Sequence, residues 1–185
     1  MAVRHDGNVA PYIPSHGPEC TWCTGRDQGT LQSDSYNSCV GMVLYGPNHK
    51  IGVVSHFSGS MGLNLGQAGS DVLEILRDVC PIAPGLWLAW VFGGISLREK
   101  PQPDSVAGLT KPLMNTIRAT LKTNPYIPIN MQLAIRLANP KVFRFKDNPW
   151  KAQELQPDSY VGHKGVRLNL TTGQVTYVDD GPRKI

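Results

Sequence analysis

The chain has 185 residues and is 41% hydrophobic, the size of one ordinary domain with enough apolar content for one sizeable core. Its 18 Lys+Arg against 14 Asp+Glu give a formal charge of +4 without a long run of one sign, so nucleic acid is not an expected partner, and Arg183-Lys184 reads as a solvated tail. No stretch approaches the roughly 20 apolar residues that span a bilayer, and the opening MAVRHDGNVAPYIPSHG lacks the basic start, apolar core and small-residue cleavage site of a secretory signal. The expectation is a soluble protein with no membrane span, export by a signal-less route staying open.

Residues 1 to 38 are rich in Gly, Pro, Ser, Asp and Asn, show no apolar periodicity and read as a long irregular arm. Within them Cys20 and Cys23 form a CxxC with His16 four residues upstream. A zinc site or a redox pair would use such residues, but a fourth ligand and a βαβ pattern are both missing, so ordinary loop cysteines are the default. No metal and no cofactor is expected.

Order begins at Cys39. The runs CVGMVLY (39–45) and KIGVVSHF (50–57) are strand-forming and flank Gly46-Pro47-Asn48-His49, a turn composition, which predicts a hairpin. Ser70-Asp71 then stands as a cap before Val72, Leu73, Ile75, Leu76 and Val79, an apolar helical stripe with Pro81 behind it. Cys80 beside that stripe reads as core filler. LWLAWVFGG (86–94) reads as a buried strand closed by two glycines.

Thr110 with Pro112 opens a second helix, with Leu113, Met114, Ile117 and Leu121 on one face and Asn124-Pro125 as its stop. Strands are expected at 129–137, 165–170 and 174–178, the last two joined by Thr171-Thr172-Gly173. About five strands and two helices in this order predict an α+β layered sandwich with a mostly antiparallel sheet.

One set of residues combines a nucleophile with a base. With the hairpin symmetric about Pro47-Asn48, Tyr45 faces Lys50, Gly41 faces Val54 and Cys39 faces His56, and directly opposed Cβ atoms lie about 4.5–5.5 Å apart. An imidazole that takes the thiol proton leaves a thiolate paired with a positive ring, a nucleophile for a carbonyl carbon. Backbone N–H groups of Ser38 and Cys39 would hold the oxyanion. Such an active thiol is expected to be accessible. The bland alternative is a buried cysteine beside a satisfied histidine. His5, His16, His49 and His163 lie in predicted loops or turns.

The stretch Asn37-Ser38-Cys39-Val40-Gly41, then Lys50-Ile51-Gly52 and Ser55-His56-Phe57, resembles the CheD family of chemoreceptor glutamine deamidases, as do Val91-Phe92-Gly93-Gly94-Ile95 and the segment from Gly165 to Val175. The matches keep their order from about residue 31 to 178. The resemblance implies an arm over 1–30 and one catalytic domain over 31–185. It also implies deamidation of a glutamine side chain in a target protein to glutamate with release of ammonia, by a Cys-His pair and a hydroxyl residue six positions before the cysteine. Ser33 stands there, where the family has threonine; Thr30 and Ser35 are fallbacks. The family's glycine-rich approach is replaced by Ser35-Tyr36-Asn37, and its Leu-Pro after the histidine by Ser58-Gly59-Ser60-Met61-Gly62, which points to a divergent member acting in the bacterial cytoplasm or as an effector or toxin delivered into a host cell. The competing expectations are a non-catalytic protein-binding module on the same scaffold and transglutaminase-type acyl transfer by the same residues.

Overall fold

The computed structural model describes residues 1–11, 20–33, 36, 39–93, 106–132 and 164–179. Among them run strands β1 (Val3–Arg4), β2 (Cys20–Arg26), β3 (Thr30–Ser33), β4 (Val40–Gly46) and β5 (Ile51–Phe57), helix α1 (Leu65–Val79), β6 (Trp87–Gly93), α2 (Val106–Thr123), β7 (Ile129–Met131), β8 (Lys164–Asn169) and β9 (Val175–Asp179). They build a six-stranded sheet in the order β1-β2-β5-β4-β6-β7 and a three-stranded sheet in the order β3-β8-β9. Only the outer pairs β1/β2 and β6/β7 are parallel.

Side chains alternate across a strand, and the alternation sorts the core into two halves. Val40, Met42 and Leu44 of β4 and Ile51, Val53 and Phe57 of β5 face α1 and α2, meeting Ile75, Leu76, Leu113 and Ile117. Val43 and Val54, from the opposite parity, face the small sheet and meet Leu31, Val166, Leu168 and Leu170. Helices, large sheet and small sheet are therefore three layers, the α+β layered arrangement that the periodicities predict. Because both faces are covered, β4 and β5 are buried at every position and read as near-continuous apolar runs. Each fully buried Leu or Ile contributes about 1.5–3 kcal/mol. The small sheet comes close because Gly52 has no side chain: a Cβ there would lie 2.4 Å from Leu168 Cδ2.

Several expectations are corrected. The described residues among 1–38 are not an irregular arm, since they include β1, β2 and β3. β2 is an inner strand that pairs with β5 from Cys20 against Phe57 to Arg26 against Ile51, and β3 is an edge strand of the small sheet against which Val9 bridges Gln32. Burial of Trp22, Cys23 and Leu31 outweighs the turn-rich composition around them. α1 begins at Leu65, earlier than Ser70-Asp71 suggests. Asn64 is its cap, its side chain accepting from the Gln67 N–H at 3.1 Å, whereas Asp71 lies inside the helix, buried, accepting from Gln67 Nε2 at 2.6 Å.

α2 likewise starts before Thr110, with Pro112 inside it, where the missing N–H removes one backbone bond. β7 ends at Met131, and residues 133–137 of the expected strand lie outside the described residues, as does Gly94. The turn between β8 and β9 forms as expected: Asn169 Oδ1 accepts from the N–H groups of Thr171 and Thr172, each at 3.0 Å, and Gly173 takes φ +71°.

The largest correction concerns the hairpin. Gly46 pairs with Ile51, Gly41 with His56 and Val40 with Phe57, a slide of two positions from the symmetric expectation. The turn spans Pro47 to Lys50, and Lys50 leaves the strand in the left-handed region at φ +49°. A slide of two preserves which face each side chain takes, so Cys39 and His56 keep one face but are no longer directly opposed.

Candidate active site

His56 sits near the end of β5 in a row that crosses the large sheet: Thr21 of β2 on one side, Gly41 of β4 on the other, then Phe92 of β6. All face the small sheet. At Gly41 the missing side chain leaves the space that two aromatic rings fill, since a Cβ there would lie 2.3 Å from Phe92 Cζ and 2.8 Å from Tyr36 Cε1. The Tyr36 ring stacks on the imidazole, with centroids 4.3 Å apart and planes 13° apart, and meets Phe92 edge-on at 5.0 Å. Burial pushes the Tyr36 phenol well above its ordinary pKa, so it keeps its proton and donates to the Ser55 carbonyl at 2.8 Å.

Ser33 reaches the same ring from the edge of the small sheet. Leu31 and Ser33 are the buried positions of β3, and Ser33 Oγ lies 3.2 Å from His56 Nδ1. The same oxygen donates to the Ala10 carbonyl at 2.5 Å. A carbonyl only accepts and a serine has one proton, so Oγ is left as the acceptor for Nδ1–H. In the neutral ring Nε2 then carries the lone pair, the form a general base needs. Residues 8–11 contribute more than this one carbonyl: Ala10 N–H donates to Gln32 O at 2.9 Å, Gln32 N–H to Asn8 O at 2.9 Å, and Thr21 Oγ1 to Pro11 O at 2.7 Å. A segment that reads as an arm outside the domain is therefore stitched to the site.

Cys39 stands one residue before β4, in the layer that holds Tyr36, Val43 and Phe92. In the observed register it is a diagonal neighbour of His56, for which Cα separations are about 7–8 Å with Cβ atoms nearer, and not the directly opposed partner. It is 3% exposed and His56 is 2% exposed, against the expectation of an accessible thiol. The aromatic rings packed around Gly41 are the physical reason. Of the remaining expected residues, Ser38 and the fallback Ser35 lie outside the described residues. Thr30 lies at the other end of β3, opposite Asn169, and only half-buried.

The CxxC is resolved by geometry. Cys20 and Cys23 both lie in β2, three positions apart, and so project to opposite faces: Cys20 joins the core under the helices and Cys23 the core between the sheets. They cannot bridge or share one ion without dismantling the strand, and they are strand cysteines instead of loop ones. Burial pushes the Cys23 thiol up to about 12, that of Cys80 up to about 11 and that of Cys20 well above its ordinary value, as expected of inert core thiols. His16 lies outside the described residues.

A cavity of about 360 Å³ lies at the other end of the hairpin, lined by Arg26, Asp27, Asn48, His49 and Lys50. None of these residues belongs to the Cys39–His56 layer, and the burial and hydrogen bonding of that layer make it the better candidate for chemistry. Tyr36, Thr21 and Ala10 are the members that reading the sequence misses. The available signal for Tyr36 was its place among residues that are glycine-rich in the family resembled.

No family model matches the chain. An uncharacterized protein, R721, of Acanthamoeba polyphaga mimivirus is 40% identical over 52 residues, a stretch that is 28% of this chain and 18% of that protein. Among solved structures, YlmD from Geobacillus stearothermophilus is similar at a TM-score of 0.36 and 16% identity, over 62% of this chain and 50% of that one. The likeness is weak and one of fold, and none of these comparisons bears on the CheD resemblance.

Proposed function

We propose that the protein is a cysteine hydrolase of side-chain amides, converting a glutamine of a target protein to glutamate. The observation that carries this reading is the Ala10–Ser33–His56 chain of hydrogen bonds, which leaves Nε2 as proton acceptor on the face that also holds Cys39. In the reaction, His56 Nε2 takes the Cys39 proton and Sγ attacks the glutamine Cδ. The resulting imidazolium returns the proton to the nitrogen as the C–N bond breaks and ammonia leaves. Water, deprotonated by His56, then attacks the thioester, and glutamate and the thiol are released. The resemblance to CheD deamidases supports glutamine as the substrate and a bacterial or effector setting. A buried Cys39 requires the side chains around it to part before a glutamine reaches the sulfur.

That burial favours a second reading, a protein-binding module that retains the Cys39–His56 layer as core. Peptide mass spectrometry separates the two. A panel of glutamine-bearing proteins, a chemoreceptor cytoplasmic domain among them, is incubated with the wild type and with Cys39→Ala. A gain of 1 Da at a defined glutamine with the wild type alone is the expected result. No conversion across the panel, with Cys39 also inert to iodoacetamide in the folded protein, selects the binding module.

A further inference from the structure

Tyr36 has no role in the mechanism just given, yet its position is tightly specified. Its hydroxyl is tied to the Ser55 carbonyl, its edge is braced by Phe92, and its ring occupies the space left by Gly41. These restraints set one ring face parallel to His56. Any buried tyrosine needs a partner for its hydroxyl; the matched planes of ring and imidazole are what point beyond the filling of volume.

We propose that Tyr36 is a positioning residue whose π face stabilises the protonated form of His56 and so favours the thiolate–imidazolium pair with Cys39. The inference rests on the hydrolase reading for the use of that pair, while the effect on His56 stands on the stack alone. Cations are attracted to the face of an aromatic ring, more strongly where water is excluded, and both rings are buried here. Among the described residues, the ionisable groups on this side of the large sheet include Cys39, Tyr36 itself, Cys23 of β2, two positions along from Thr21, and His5, which follows β1 on the face of Val3 and Thr21 and has a buried Nε2. β6 contributes Phe92 and Trp90, and β8 contributes Val166 and Leu168.

The test is an NMR titration of the His56 ring in the full chain, with position 36 as Tyr, Phe, pentafluorophenylalanine or Leu. Phe keeps the π face and loses the hydroxyl; pentafluorophenylalanine keeps nearly the same shape and reverses the ring quadrupole, so it tests the interaction even if Tyr36→Leu does not fold. The expected result is a midpoint in the Phe variant close to the wild type and one about a pH unit lower with pentafluorophenylalanine. Equal midpoints for those two variants would overturn the proposal. The pH profile of Cys39 alkylation, measured on the same proteins, keeps the two ideas apart. A shifted His56 midpoint with an inert Cys39 sinks the hydrolase and leaves the stack, whereas a reactive Cys39 indifferent to the ring sinks the stack and leaves the hydrolase.

Discussion

The two ends of the β4–β5 hairpin are about 20 Å apart along seven-residue strands and are built on opposite plans. At the tip, Arg26, Asp27, Asn48, His49 and Lys50 surround a cavity, and its polar groups are tied to main chain: Arg26 donates to Ile82 O and His49 Nε2 to Pro84 O, each at 3.0 Å. At the other end there is almost no exposure, and Ser33 Oγ, Tyr36 Oη and His56 Nδ1 are committed to one another or to carbonyls. Water competes for every bond at the tip and for few at the closed end. Hydrogen bonds therefore fix orientation and tautomer far more firmly at the closed end.

The sharpest way to break the comparison is to remove its reactive members. Cys39→Ala and, separately, His56→Gln are expected to lower glutamine conversion by about 10³-fold or more, while His49→Gln at the tip leaves it unchanged in the same mass-spectrometric assay. Ser33→Ala deletes the oxygen between Ala10 and His56. It is expected to cost about 1–3 kcal/mol of stability in urea unfolding by leaving buried partners unsatisfied, and to slow Cys39 alkylation about tenfold or more. Ser33→Thr, which keeps the hydroxyl, is expected to restore both.

Smaller effects sharpen the contrast through packing. Gly41→Ala drives a methyl into Phe92 and Tyr36 and is expected to cost about 1–3 kcal/mol, read as a fall in Tm of about 2–4 °C per kcal/mol for a chain of this size. Gly46→Ala, near the tip, brings a Cβ 3.0 Å from the Trp87 ring and is expected to cost about 1 kcal/mol or less.

The buried thiols add a pH dependence. Cys23 is raised from 9.0 to about 12 and Cys80 from 9.0 to about 11. Above pH 9 the unfolded chain releases protons that the folded chain retains, so stability falls as pH rises from 9 toward those values. Unfolding at pH 8 and pH 10.5 is expected to show this loss, and Cys23→Ala is expected to reduce it. The smallest effect belongs to Lys50→Gly, which relieves a left-handed residue at a gain of about 1 kcal/mol or less and leaves Cys39 alkylation unaltered.

Much of this architecture is legible in the residues themselves. The strand runs at 39–45 and 50–57, the helical stripe ending at Val79 and the stop at Asn124-Pro125 follow from composition, period and capping, which are local. The symmetric reading of the turn also puts Cys39 and His56 on one face of one hairpin, and the observed slide of two positions keeps them there. The segment before Cys39 is legible only poorly, because β2 holds Thr24, Gly25 and Arg26 where a strand pattern calls for apolar residues, and its stability comes from partners 25 or more residues away in β5.

Composition and periodicity by themselves determined the layered α+β class and the hairpin that carries Cys39 and His56. Only the tertiary structure decided that Gly41, not Cys39, stands opposite His56, that Tyr36 fills the gap, and that Cys20 and Cys23 part to opposite sides of a sheet. The register depends on where one lysine leaves the strand at the turn, and the burial of the site depends on a second sheet laid over the first. The first is set by the conformation of the turn, which its composition does not reveal, and the second by long-range packing, which no local pattern of residues contains.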